Sequence, residues 1–294
     1  MVASRPYPRR FSDRLSLHCH RISNGTLMNL WLRCVCEFGF RLDTSTPFLF
    51  MLRPRSGASQ WIVDQRFKLT PDVIPTEFTD GFGNLCQRVL ATPGSLEVHC
   101  SAIVQTADGS DENPAAEFVE VQNLPPEAIT FLFPSRYCES DRMGPLAVEL
   151  TSGFQPGYSQ AAAIVTWIRD TIAYRPGMSN VPVSAMETKD RGYGVCRDLA
   201  QLGIALCRSL SIPSRMVVGY LHGLQPMDLH AWFECFVGGR WYTMDPTQAS
   251  LNGGRVTIAY GRDAADVAVF TQFGDLVVPL RQLVEVERID PPHA

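Results

Sequence analysis

Three residue types able to carry acyl-transfer chemistry recur in the C-terminal half of this chain. Cys196 follows a glycine-rich turn and opens the patterned stretch GYGVCRDLAQLGIALCRSL, residues 192 to 210. At the first turn of a helix, unpaired N–H groups and the positive end of the helix dipole favour thiolate over thiol. The thiolate is the reactive form. His230 and Asp245 follow within HAWFECFVGGRWYTMDPT, residues 230 to 247. A cysteine, a histidine and an aspartate brought together can form a thioester from an amide. Cys196 would attack the carbonyl, and His230 would hold the thiolate as an ion pair and then protonate the leaving amine. Asp245 would fix the tautomer of the imidazole and stabilise its charged form. The Cys196 backbone N–H is a natural oxyanion donor; the sequence names no second one.

The elements that must position these residues are legible from pattern. Cys196, Leu199, Ala200, Gly203, Leu206, Cys207 and Leu210 recur at three- and four-residue steps, which predicts an amphipathic helix stopped by Ile212-Pro213. An earlier helix is expected over QAAAIVTWIRDTIAY, capped by Ser159 and ended by Pro176-Gly177. Strands follow as RMVVGYL, HAWFECFV and RWYTMDP. Gly238-Gly239 makes a favoured two-residue hairpin loop between the last two. In that register Val237 faces Arg240, Trp232 faces Asp245 and His230 faces Thr247. His230, Trp232 and Asp245 then share one face, with His230 and Asp245 roughly 7–8 Å apart by Cα, within side-chain reach.

The N-terminal half has a different texture. From Leu30 apolar residues alternate with Arg33, Glu37 and Arg41, the period of a half-buried strand. Further strand candidates are FLFML, QRFKL, LCQRVLATP and LEVHCSAIVQT, separated by turns such as TDGFGN and DGS. The fold class is therefore α+β: an N-terminal β-sandwich followed by an α+β catalytic domain. The expected organisation is a loose extension over 1–28, the sandwich over 29–140, and the catalytic domain with a C-terminal β segment over 141–294.

Composition narrows the function classes. The 294 residues are 45% hydrophobic, with 26 basic and 30 acidic side chains and a net charge of −4, which suits a globular protein of about two domains. No basic stripe supports nucleic-acid binding, and the longest apolar run falls well short of the ~18 residues of a membrane span. Nine scattered cysteines without CxxC pairs point to reduced thiols and a cytoplasmic setting. Neither a paired-ligand zinc spacing nor a calcium-binding run of alternating acidic residues is present, so no cofactor is expected. Cys19, Cys34, Cys36, Cys86, Cys100, Cys138, Cys207 and Cys235 read as core residues. Asp198 reads as a helix-start carboxylate that caps or orients the turn. His222 reads as a loop histidine, and Trp232 and Trp241 as packing residues.

The segments GVCRDLAQLGIALCRSLSIPSRMVVGYL, LHAWFECFVGGRW and MDPT resemble the core of the transglutaminase-like superfamily, in particular bacterial members with an N-terminal β-domain. FTDGFGN, SRYCESD and GRDAADV resemble flanking signatures of that group, so the likeness runs over about residues 29 to 275. It implies a papain-like α+β catalytic fold and places the family's catalytic cysteine, histidine and aspartate on Cys196, His230 and Asp245. Arg197, Leu199 and Gln201 stand where relatives often read CQDFAHL, and DPTQ stands for DPTN. The expected partner is a peptide or protein carrying an amide or isopeptide bond. Hydrolysis is the favoured outcome, as in a cysteine peptidase, amidase, isopeptidase or deamidase. An amine-transferring transglutaminase and a non-catalytic protein-binding module are the alternatives.

Overall fold

The alternating run from Leu30 becomes a long strand, β1 (Met28–Leu42), whose inward side chains Leu30, Leu32, Cys34, Cys36, Phe38 and Phe40 are almost wholly buried. The computed structural model describes residues 28–57, 59–109, 112–178, 181–251 and 253–292. The extension expected over 1–28 lies outside the described residues except for Met28, which opens β1; Cys19 lies outside as well. Five further strands follow: β2 (Thr46–Phe50), β3 (Gln60–Thr70), β4 (Thr76–Thr79), β5 (Leu85–Ala91) and β6 (Gly94–Ala107). They sort into two antiparallel sheets, β1-β6-β3 and β2-β5-β4. Aromatic rings join the inner faces, with Phe40 and Phe48 centroids 5.2 Å apart and Phe50 and Phe67 6.2 Å apart. That is the packing of a β-sandwich.

The second half begins with the short helices α1 (Pro126–Ile129) and α2 (Gly144–Leu150), then α3 (Tyr158–Thr171). The cap expected at Ser159 is displaced. Gly157 is the N-cap, its N–H donating to Gln160 Oε1 at 3.3 Å, while Ser159 Oγ is spent on the Pro114 carbonyl at 3.2 Å. The helix also ends earlier than Pro176, because Ala173-Tyr174 leave it as β7 (Ala173–Tyr174) to pair in parallel with β8 (Tyr193–Gly194). Between them lies α4 (Ala185–Arg191), which was not anticipated although its signature is present. Ser184 Oγ accepts from Glu187 N–H at 3.3 Å and Glu187 Oε2 from Ser184 N–H at 3.1 Å, a complete capping box.

The opening stretch forms α5 (Cys196–Ser209). The expected one-sided stripe is an underestimate: every residue from Asp198 to Arg208 is buried. The helix is central, with the sheet on one side and α2, α3 and α4 around it. Its polar residues are tolerated because each has partners. Gln201, for example, donates to the Val183 carbonyl at 2.8 Å and accepts from Ala264 N–H at 3.2 Å.

The sheet beneath it contains β9 (Ser214–Leu221), β10 (His230–Val237), β11 (Arg240–Met244) and β12 (Arg255–Gly261), in the order β11-β10-β9-β12. Its hairpin has the expected register, from Val237 opposite Arg240 to Phe233 opposite Met244. Gly238 and Gly239 have φ of 57° and 83°, the left-handed pair that a type I′ turn demands. Gly203 lets α5 approach this sheet, since a Cβ there would meet the Phe233 ring at 2.4 Å. The C-terminal β segment comprises β13 (Phe270–Gln272) and β14 (Arg281–Arg288). Both return to the sandwich, β13 beside β2 and β14 beside β1.

Candidate active site

Cys196 is the first residue of α5, after the non-helical N-cap Val195. The β7–β8 pairing ends at Gly194 and so fixes the chain just before the cysteine. Asp198 then closes the turn, its Oδ2 accepting from Val195 N–H at 3.2 Å and its Oδ1 from Arg197 Nε at 3.2 Å. This carboxylate orients the helix start, as its position in the sequence suggested. Cys196 itself is half-buried, whereas Cys34, Cys36, Cys86, Cys100, Cys138, Cys207 and Cys235 are all buried.

His230 opens β10, and Asp245 follows the last residue of β11. The two-residue loop puts them side by side: His230 Nε2 and Asp245 Oδ2 lie 2.9 Å apart, both side chains fully inaccessible. The His230 ring stacks on Trp232, centroids 6.1 Å apart at 28°, so the one-face expectation for these residues matches the geometry. Nδ1 makes no hydrogen bond of normal geometry. With Nε2 committed to Asp245, Nδ1 is the nitrogen left for Cys196.

The electrostatics of the pair follow from its burial and partners. Desolvation alone would depress the imidazole, but the Asp245 carboxylate and the Cys196 thiol outweigh it and lift the ring to about 9. Burial would likewise raise Asp245, yet His230, Arg255 and Thr247 together hold it down at about 2. The aspartate is thus a carboxylate beside a charged imidazole over the neutral range. Thr247 explains the DPT motif. Its N–H and hydroxyl donate to Asp245 Oδ1 at 3.0 and 2.7 Å, clamping the oxygen that the histidine does not use.

Two neighbours were not singled out from the sequence. Arg255 Nη2 donates to Asp245 Oδ2 at 3.0 Å; no motif marked it, because it lies in a different strand from the hairpin. Tyr174, half-buried on β7, is brought opposite Gly194 by strand pairing. Burial, then the charges of Cys196, Asp245 and Asp228, push its phenol well above the ordinary range, so it remains a neutral donor. A cavity of about 630 Å3 lies between the sandwich and the sheet; Trp232 and Arg255 line it, but Cys196 and His230 do not. His222 is exposed at the end of β9, as a loop histidine would be. Among the described residues no group of three His, Cys, Asp or Glu side chains is arranged to hold a metal ion. No helix among them is long and apolar enough to cross a membrane.

A central helix opened by a cysteine and laid on an antiparallel sheet that carries a histidine–aspartate pair defines a class of protein. The profile of the transglutaminase-like superfamily matches residues 144–246, from the start of α2 to the residue after Asp245. A crystal structure from Cytophaga hutchinsonii, described as "a Putative Cysteine Protease", is 36% identical, with a TM-score of 0.83 over 90% of this chain and 92% of that one. An uncharacterized protein of Mycobacterium leprae is 27% identical over 260 residues, covering 81% of this chain and 91% of its own. The chain belongs to the transglutaminase-like superfamily. The likeness to the Cytophaga structure extends through the N-terminal sandwich as well as the region matched by the profile.

Proposed function

We propose that Cys196, His230 and Asp245 form a catalytic triad that cleaves an amide or isopeptide bond of a peptide or protein and passes the acyl group to water. The observation that carries this reading is the buried imidazole. Asp245 holds one nitrogen at 2.9 Å, while the cysteine at the helix start acts on the same ring. The description of the Cytophaga relative as "a Putative Cysteine Protease" agrees with it.

The chemistry follows from that arrangement. Cys196 Sγ attacks the substrate carbonyl carbon, and its N–H, free of an intrahelical acceptor at the first helical position, donates to the oxyanion. The C–N bond then breaks, with the leaving amine taking the Nδ1 proton of the imidazolium and a thioester remaining. Water attacks the thioester and gives a proton back to Nδ1, and the acid leaves as Sγ is released. Asp245 keeps its negative charge throughout and holds Nε2–H, which presents Nδ1 to the reaction.

Glutamine- and isopeptide-bearing peptides are the substrates to try, incubated with wild-type protein and with Cys196→Ala, each with and without a fluorescent primary amine. Cys196-dependent release of ammonia or amine without the added acceptor is the expected result. Incorporation of the amine far in excess of hydrolysis would make the protein a cross-linking transglutaminase. Tight binding that survives Cys196→Ala, with no thioester detected by intact mass, would make it a binding module.

A further inference from the structure

Asp245 is held from a direction that the hairpin does not supply. Its Oδ2 is shared between His230 Nε2 at 2.9 Å and Arg255 Nη2 at 3.0 Å. Arg255 is the first residue of β12, the edge strand of its sheet, and the free side of that strand faces the sandwich. Gln60, at the start of β3, donates from its amide to the Thr257 carbonyl at 2.8 Å and accepts from Thr257 N–H at 2.7 Å. Asn84, in the turn before β5, does the same at Tyr260, at 2.7 and 2.8 Å. Closer to the arginine, Thr106 Oγ1 donates to the Arg255 carbonyl at 3.1 Å, and Gly254 N–H donates to the Ala107 carbonyl at 3.1 Å.

A bulge makes this double clamp possible. In a regular strand, residues presenting both backbone groups outward recur every second position. The register of β12 against β9 slips between Thr257 and Ala259, so the outward positions become 257 and 260. Gln60 and Asn84 are only 3% and 1% exposed. Each buried amide has both ends engaged, so parting from β12 would leave a buried donor and a buried acceptor unsatisfied. The Arg255 guanidinium borders the 630 Å3 cavity and lies 5.9 Å from the centroid of the Trp232 ring, so its place depends on where β12 sets its backbone.

We infer that Arg255 is a positioning residue for Asp245 and His230, and that the N-terminal sandwich, by clamping β12, is what holds Arg255 in place. The inference rests on the triad reading above. A guanidinium and an imidazolium compete for one carboxylate oxygen here. With Arg255 removed, Oδ2 belongs to His230 alone, so the imidazolium becomes harder to deprotonate and the carboxylate loses a fixed donor. The other groups facing the pair are Cys196 from α5, Tyr174 from β7, Asp228 from the loop before β10, and Thr247. None of them is changed by a substitution at 255.

The test needs no substrate: the rate of Cys196 alkylation by iodoacetamide is followed against pH in the full-length protein. A thiolate paired with imidazolium gives a plateau, and the rate rises again where the ring loses its proton. Arg255→Gln is expected to move that upper step to higher pH by about half to one unit. Arg255→Lys should keep it near the wild-type position. Gln60→Ala, which loosens β12 from outside the site, should move it the same way by less. An upper step left in place by Arg255→Gln, or one that lysine fails to restore, overturns the inference while a wild-type plateau leaves the triad standing. No plateau in the wild type overturns the triad, and the inference with it. Should Arg255→Gln fail to fold by circular dichroism, an unmoved upper step in Gln60→Ala overturns the clamp.

Discussion

The two ends of α5 make opposite use of the same helix. At its C-terminal end Arg208 is 3% exposed and saturated: it donates to the carbonyls of Ser214, Phe133 and Arg262 and to Ser135 Oγ at 2.7–3.1 Å. Cys207 beside it is fully buried, and desolvation pushes its thiol up to about 12, where it is inert. At the N-terminal end Cys196 is half-buried and the ring facing it keeps a nitrogen without a conventional hydrogen bond. One end is closed with every polar group satisfied, as a structural joint must be. The other keeps a half-buried thiol and an imidazole nitrogen without a conventional hydrogen bond, the two groups that the proposed triad would use.

The sharpest way to break this comparison is to exchange the roles of the two cysteines. Cys196→Ala should abolish turnover, a loss of at least about 10⁴-fold. Cys207→Ala should leave the rate within about twofold and cost about 1–2 kcal/mol of stability. Steady-state rates with a glutamine- or isopeptide-bearing peptide that the wild type turns over, together with urea midpoints, separate the two.

Asp245→Asn comes next. The substitution preserves the shape of the side chain while losing its charge, so the fold should survive by circular dichroism and the rate should drop by about 10²–10⁴. Full activity in that variant would remove the aspartate from the triad.

At the closed end, Arg208→Met leaves the buried Ser214 carbonyl and the part-buried carbonyls of Phe133 and Arg262 without their donor. A loss of about 3 kcal/mol is expected from the urea midpoint at an unchanged slope, with the labelling rate of Cys196 intact. A stable variant with a slowed Cys196 would show that the two ends are not separate in function.

The smallest expected effect is a pH dependence. His230 titrates at about 9 in the fold, raised from its ordinary value of 6.5 by Asp245 and Cys196 against the cost of burial. Its charged form therefore stabilises the fold fully below about 6.5, and that contribution is lost as pH rises through about 9. The melting-temperature gap between wild type and Asp245→Asn should narrow over that window. A gap that widens with pH would mean that the imidazole is neutral in the fold.

Much of the site was legible because it depends on local rules. A cysteine at a helix start follows from the apolar period, and the His230–Asp245 contact follows from a two-residue glycine loop. Residues whose roles depend on distant parts of the chain were not legible in the same way. Arg255 reaches Asp245 only through β12, which is clamped by Gln60, nearly two hundred positions earlier. The flanking signatures were visible, but their purpose was not. Asn84 of FTDGFGN clamps β12, and Asp263 of GRDAADV accepts from Tyr137 N–H of SRYCESD at 2.7 Å. The complete burial of α5 was also hidden, since Asp198, Gln201 and Arg208 read as a polar face until their partners are known. The capping box at Ser184 and Glu187 could have been found from spacing alone.

The central claim is that Cys196 is the one activated thiol of this protein. Brief iodoacetamide treatment of the native protein, followed by peptide mass mapping, tests it directly. Labelling confined to Cys196, with Cys207, Cys36 and the other buried thiols reacting only after unfolding, is the predicted result. Equal or faster labelling of Cys207 or Cys36 in the native state would contradict it.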